Sequence, residues 1–184
     1  MDTLLRAPWT VDEFLAWEDR QEVKHEFDGF DVIEMTGGSR AHQRIVFNLL
    51  TSLTARLDPS FDAVQEMRIR FGNRVRYPDV TICAEPVGQK VKTLLDAIAA
   101  FEVLSDETAR TDRTIKLSEY AEIPSLQYYV LLEHDRIAAT IHHRQAGHWQ
   151  THAITEGKLN LPALGLTLPL AEIYARLQFQ PPPG

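Results

Sequence analysis

Cysteine is almost missing from this chain. Cys83 stands alone among 184 residues, which excludes an internal disulfide and favours a reducing compartment. No run approaches the roughly 18 consecutive apolar residues that a membrane span needs. The opening MDTLLRAPWT has an acid at position 2 and no long apolar stretch, so no signal peptide is expected. A cytoplasmic protein without membrane contact is the expectation. Positive charge is scarce as well: 19 Lys and Arg against 26 Asp and Glu give a net charge of −7. That argues against binding nucleic acid by bulk attraction. It does not exclude DNA as a substrate, because a cluster of carboxylates carries negative charge until a cation binds. Repeats and low-complexity tracts are absent, apart from Pro-Pro-Pro-Gly at 181–184, expected to be a disordered tail after a single domain over 1–180.

What is present is an alternation of helical and strand-like segments. Thr10 and Glu13 have capping-box spacing, which predicts a helix over 11–19. Strands over 22–27 and 30–35 are expected to form a hairpin turned at Asp28-Gly29. Val46, Leu49, Leu50, Leu53 and Leu57 form one stripe of a helix over 39–57, which His42 extends towards its start and Pro59 stops. Strands over 63–71 and 75–83 come next, joined at Gly72-Asn73, with Arg68 and Arg70 alternating against Met67, Ile69 and Phe71. The stretch 84–96 reads as a loop. Then come an apolar strand over 97–104, a helix over 111–122, a strand over 126–132, a hairpin over 136–155 and a short helix over 168–177. The order predicts an α/β fold with a mixed central sheet flanked by helices, an N-terminal helix and hairpin, and a C-terminal antiparallel meander.

Two acids stand out. Asp79 follows Pro78 within a strand, and Glu102 is the one charge in an otherwise apolar strand. A buried carboxylate is costly unless paired or bound to a cation. Two on neighbouring strands suit Mg²⁺, which takes a few carboxylates and keeps several waters. The plainer alternative is that Asp79 caps a turn and Glu102 pairs with an arginine.

Several blocks, in order, carry a family resemblance: TVDEFLAWE (10–18), HEFDGFDVIEMTGGSRAHQRI (25–45), YPDVTI (77–82), FEVLS (101–105), DRTIKLSEY (112–120), IPSLQYYVLLEHD (123–135) and LPALGLTLPLAEIY (161–174). Together they span nearly the whole chain. They resemble a restriction endonuclease family found widely in bacteria, a branch of the PD-(D/E)XK nuclease superfamily. The resemblance implies a nuclease-like core in which Asp79 and Glu102 bind Mg²⁺, with Mn²⁺ as a substitute, and in which DNA phosphodiester bonds are hydrolysed. The superfamily usually places a lysine two residues after the Glu; here that position is Leu104. The family resembled supplies the lysine from the following helix, and Lys116 sits in the matching block. Asp112, Lys116 and Tyr120 share a helix face at i, i+4 and i+8. The alternative for Lys116 is a solvated residue paired with Asp112. A second departure is Ser105-Asp106, where the family usually has Ser-Pro.

Glu26 and His42 fall in matching blocks and are further candidates, as a third carboxylate near the cation and as a contact to the site or to phosphate. Their alternatives are a cross-strand charge and a satisfied histidine near a helix start. Arg68, Arg70, Arg74 and Arg76 precede Asp79, and Arg110 and Arg113 come after Glu102, a stripe able to hold DNA phosphates or to pair with the abundant acids. His142, His143, His148 and His152 read as polar residues of an exposed meander, with a transition-metal site the lesser alternative. Cutting both strands with one-site subunits implies a homodimer. Residues 161–170 are apolar enough for an interface or for packing on the chain's own sheet. The competing functional reading is a nuclease-like module that binds or regulates without cutting.

Overall fold

Thr10 starts the first helix. Its hydroxyl accepts the Glu13 amide at 3.3 Å while the Glu13 carboxylate takes the Thr10 amide at 2.8 Å, the reciprocal cap the spacing predicts. The computed structural model describes residues 9–84, 88–105 and 108–179; the expected tail at 181–184 and the Asp106 departure lie outside them. Helix α1 (Val11–Glu18) buries Val11 and Phe14. Phe14 stacks on Phe27 at 5.0 Å between ring centroids.

Phe27 belongs to β1 (His25–Phe27), which pairs antiparallel with β2 (Val32–Glu34). Both strands are shorter than the sequence suggests, and β2 starts late because Asp28 builds the turn. Its Oδ1 accepts the amides of Phe30 and Asp31 at 2.8 and 2.7 Å, and Gly29 takes a φ of +100°. Ser39 caps α2 (Arg40–Thr54), accepting the His42 amide at 3.2 Å. The predicted stripe is buried at Val46, Leu49 and Leu53 together with Ile45, while Leu50 and Leu57 are only partly covered.

The two strands expected over 63–83 are four: β3 (Phe61–Gln65), β4 (Arg68–Phe71), β5 (Arg74–Arg76) and β6 (Val80–Ala84). Each long run breaks where its backbone leaves the ladder. Glu66 adopts a φ of +48°, and its amide donates to the Asp79 carbonyl at 3.1 Å. On the returning run Pro78 has no N–H to give. The outcome is that β3 and β6 belong to one sheet and β4 and β5 to another. Part of the expected loop forms β7 (Thr93–Leu94), parallel to β4.

The central sheet has six strands in the order β11-β10-β9-β8-β6-β3, using β8 (Ala97–Val103), β9 (Tyr128–Leu132), β10 (Ala139–Gln145) and β11 (His148–Ile154). Only β8 and β9 pair in parallel, so the sheet is mixed, as expected. Both faces are covered. Ala99, Phe101 and Val103 of β8 face α2, while Ala97 and Ala100 face Tyr120, Tyr129 and Leu126. The smaller sheet runs β2-β1-β5-β4-β7. A further hairpin, β12 (Lys158–Leu161) and β13 (Leu166–Pro169), precedes α4 (Leu170–Ile173). Leu161, Leu164, Leu166, Leu168 and Leu170 are buried with the α2 core, so segment 161–170 packs on its own domain. Among the described residues no helix is long and apolar enough to cross a membrane.

The helix expected over 111–122 begins as a π-helical turn (Thr111–Lys116) and runs into α3 (Leu117–Tyr120). This turn was not legible in the sequence. It matters because π-helical turns are rare and concentrate at functional sites.

Candidate active site

The break between β5 and β6 leaves Asp79 at the head of β6, one side chain from the middle of the central sheet. Its Oδ2 accepts the Val103 amide at 2.6 Å and contacts His42 Nε2 at 3.1 Å. Asp79 therefore ties β6 to β8 and to α2, rather than capping a turn. Burial alone would lower the His42 pKa, but the hydrogen bond to Asp79 and its charge raise it above the ordinary value.

Glu102 alternates out of β8 on the Ala100 face and is almost fully buried. Its partner is a lysine, not an arginine: Oε1 lies 2.9 Å from Lys116 Nζ and accepts the Tyr120 hydroxyl at 3.4 Å. Lys116 is 6% exposed, so it is no solvated helix residue. Besides Glu102 its ammonium meets Asp112 at 3.1 Å and Glu26 at 3.2 Å. The π-helical turn thus aims Asp112 and Lys116 into one pocket, with Tyr120 just beyond. Tyr129 fixes the turn from β9 by donating to the Asp112 carbonyl at 3.0 Å.

Glu26 joins from the smaller sheet, where its Oε1 accepts the Tyr77 amide at 3.1 Å and its Oε2 accepts Arg76 Nη1 at 3.0 Å. The fold thereby gathers the predicted Asp79, Glu102, Lys116, Glu26, His42 and Asp112 around a cleft of about 500 Å³. One rim is the chain from Ile33 to Ser39, leading from β2 into α2; Leu104, Ser105 and Thr108 form part of the other.

The cleft holds more negative charge than its cations balance. Glu26, Glu102, Asp112 and Glu119 are bonded to Lys116 and Arg76, four carboxylates to two cations, with Asp79 and His42 forming their own pair. Arg74, 3.7 Å from Glu119, is already paired with Glu122 at 2.7 Å. The excess appears at Glu102. Burial pushes its pKa well above the ordinary carboxylate range; Lys116 opposes this, while the charges of Asp112, Asp79 and Glu26 add to it. For Glu26 burial acts in the same upward sense, but Lys116 and Arg76 outweigh it and its pKa is lowered. Burial would discharge Lys116, yet Glu102 and Glu26 keep it firmly protonated.

The predicted arginine stripe needs correction. Arg68 is buried and bonded to Glu18 and Asp19 at 2.7 and 2.8 Å. Arg76 is 1% exposed, and its guanidinium is held by Glu119 and Glu26. Neither can reach a phosphate, because the alternation that put them on a solvent face ignored the second sheet and α1 lying over it. Arg70 pairs at the surface with Asp12 at 2.7 Å, and Arg113 with Glu133. Arg110 is exposed and has no carboxylate partner among the described residues.

Three further contributors escaped sequence reasoning. The Val103 amide carries no side-chain signal. Glu119 drew no reading of its own within the block at 112–120. Gly38 lies between the expected hairpin and helix, where a glycine pair before a helix cap is a signal for close approach. The histidines do not converge: His142 lies opposite Thr151, bonded at 2.8 Å, and His148 opposite Gln145. Only His143 and His152 meet, with ring centroids 5.6 Å apart.

Comparisons with known proteins bear on the family and the fold. A family model described as "Putative restriction endonuclease" matches residues 11–171. The uncharacterized protein slr1290 of Synechocystis sp. is 30% identical over 175 residues, covering 91% of this chain and 92% of its own. A second uncharacterized Synechocystis protein, sll1609, is 32% identical over 145 residues, covering 74% and 80%. The crystal structure of an Anabaena variabilis protein described as "a putative nuclease" superposes with a TM-score of 0.76 at 19% identity, over 91% of this chain and 98% of that one. At that identity the likeness is one of fold, and the fold is nuclease-like. With the family model spanning most of its length, the chain belongs to the Uma2 family, described as "Putative restriction endonuclease".

Proposed function

We propose that this protein is a Mg²⁺-dependent endonuclease that hydrolyses DNA phosphodiester bonds in the cleft between Asp79, Glu102 and Lys116. The observation that carries this reading is the buried contact of Lys116 Nζ with Glu102 at 2.9 Å, in the same cleft as Asp79. It supplies from position 116 the cation that Leu104 lacks.

The donor set fits a hard divalent cation. Among the described residues neither Asp79 Oδ1 nor Glu102 Oε2 accepts a hydrogen bond, which leaves each acid an oxygen to offer. With all four carboxylates ionised the charge around Lys116 and Arg76 would be unbalanced by two, and the raised pKa of Glu102 marks where a cation would relieve it. No three side chains able to ligate a metal already close on one point among the described residues, so water must complete the shell, as Mg²⁺ prefers. Asp79 and Glu102 would hold the ion, and Mn²⁺ would substitute for it.

When bound, Mg²⁺ would neutralise phosphoryl charge and acidify water. The chain does the rest. The Val103 amide and His42 hold Asp79 in one orientation, and Lys116 and Tyr120 hold Glu102. Lys116 is a pre-organised cation beside the phosphate, placed to stabilise charge as it develops or to orient the attacking water. With Arg68 and Arg76 committed to internal acids, phosphate contacts fall to Arg110, two residues beyond the rim residue Thr108, and to Arg40, next to the rim residue Ser39, both exposed and without a carboxylate partner among the described residues. Cutting both strands would pair two copies.

A second reading, a nuclease-like module that binds without cutting, is favoured by the net charge of −7. One comparison separates them. Mn²⁺ titration by calorimetry, followed by Mn²⁺-dependent cleavage of plasmid and single-stranded DNA, is run on the wild type, Asp79→Asn and Glu102→Gln. Binding and cleavage lost in both variants support the enzyme. Binding without cleavage by the wild type supports the module, and equal binding in all three sinks the assigned metal ligands.

A further inference from the structure

Arg76 is among the most buried side chains in the molecule, and its burial has no explanation in the core. It sits in β5 of the smaller sheet, while Lys116 lies over the central one. Its guanidinium grips Glu119 with both arms of the fork, Nε to Oε2 and Nη2 to Oε1, each at 2.8 Å. The remaining nitrogen, Nη1, donates to Glu26 Oε2 at 3.0 Å, and the other oxygen of Glu26 lies 3.2 Å from Lys116 Nζ. Glu119 is three residues after Lys116 on the same helical run, about one turn further on. Both carboxylates are buried, so neither has solvent to replace the guanidinium.

We infer that Arg76 is the positioning residue for Lys116, holding its backbone through Glu119 and its ammonium through Glu26. This rests on the reading of Lys116 as the catalytic cation, but its structural part does not need that reading. A lysine in an open cleft beside three carboxylates has several low-energy places to sit. Arg76 removes the choice. By engaging Glu26 on Oε2 it leaves Oε1 as that acid's contact to Lys116, and by clamping α3 it fixes the height from which the lysine reaches Glu102. The planar fork is essential, because a point charge cannot make two parallel bonds to Glu119 and a third to Glu26.

The test uses lysine side-chain ¹⁵N labelling, since an ammonium shielded in this way exchanges its protons slowly enough to give its own resonance. Lys116→Met assigns that resonance by its loss. Arg76→Lys keeps the charge and removes the fork; Glu119→Gln keeps the shape and weakens the clamp, and serves if the first variant fails to fold. Both are expected to broaden or shift the Lys116 signal while Mn²⁺ affinity stays within about threefold. On a cleavable DNA, kcat should fall by tenfold or more, towards the ~10²-fold cost of a misplaced catalytic group, with KM little changed. Arg56→Lys, at the surface pair with Glu172, is the control and should leave the resonance in place. An unmoved Lys116 signal in either folded variant overturns the inference. A wild type that cleaves no DNA defeats the nuclease reading instead, and the resonance still decides the positioning role.

Discussion

Gly38 and His42 touch so closely that a side chain at position 38 fits only if the imidazole moves: a Cβ built there lies 2.4 Å from His42 Nδ1 and 2.7 Å from Cγ. The Nδ1 atom is buried with no hydrogen-bond partner among the described residues, in keeping with its place against a glycine. The glycine seats the imidazole, and the imidazole in turn holds Asp79. Gly38→Ala should therefore turn the ring away, break the 3.1 Å contact to Asp79 and cost roughly 1–3 kcal/mol, as overpacking does. Imidazole NMR shifts and thermal melts would check this. An unmoved His42 in a fully stable variant would sink the idea.

Lys116→Met should separate binding from turnover. Asp79 and Glu102 keep their oxygens, so Mn²⁺ affinity is expected to hold or to rise with loss of a competing positive charge. Cleavage should fall by about 10²–10³, the usual loss when one pre-organised charge contact is removed. Parallel calorimetry and single-turnover assays measure the two. A variant that loses metal and activity together would reassign Lys116 to metal-site architecture.

His142 should set an acid limb of stability. Burial lowers its pKa from the ordinary 6.5, and the charges of Arg113 and His152 lower it further. Its Nδ1 is bonded to Thr151, while Nε2 is buried without a partner, so the added proton of the charged form has nothing to bond. The folded state thus resists protonation. Stability is full above about 6.5 and declines as the pH falls through that value towards the folded pKa, because the unfolded chain takes up the proton first. His142→Phe keeps an aromatic ring against Tyr129 and should flatten this limb in denaturant titrations at pH 7.5 and 5.5. The same slope in both proteins would assign the limb elsewhere.

DNA affinity should respond to Arg40 and Arg110 and not through the buried arginines. Charge reversal at either rim position is expected to weaken binding, in Ca²⁺ to prevent cleavage, and to lower the salt slope by about one per lost phosphate contact. Fluorescence anisotropy over a range of salt concentrations reads both. A slope unchanged by reversal at both positions would remove them from the DNA surface.

Much of this was legible in the sequence where one element decides the outcome. The cap at Thr10, the stripe on α2 and the apolar β8 each arise from local chemistry, and the odd charge in β8 pointed to Glu102 directly. Legibility failed where two sheets meet. Alternation along 67–71 is real, but it could not say that α1 and Asp19 cover the face carrying Arg68. The run over 63–71 looked continuous because the break at Glu66 needs a positive φ that its side chain does not advertise. Lys116 could be found by family resemblance, whereas its three carboxylate partners come from β1, β8 and its own turn and have no shared spacing.

The π-helical turn at Thr111–Lys116 carries a consequence for length rather than for chemistry. Such a turn accommodates one more residue than an α-helix over the same span. Deleting a single residue between 111 and 115 would let the same span close as α-helix with its downstream end turned little, because the turn had absorbed that residue. Lys116, Glu119 and Tyr120 would then keep their places beside Glu102 and Arg76, whereas a deletion at 117 or 118 in α3 has no such slack and would turn Glu119 and Tyr120 away by about 100°. Tolerance should therefore be generous to exchanged letters at exposed Thr114 and Ile115 and to one missing residue in that turn, and severe towards a residue missing from α3.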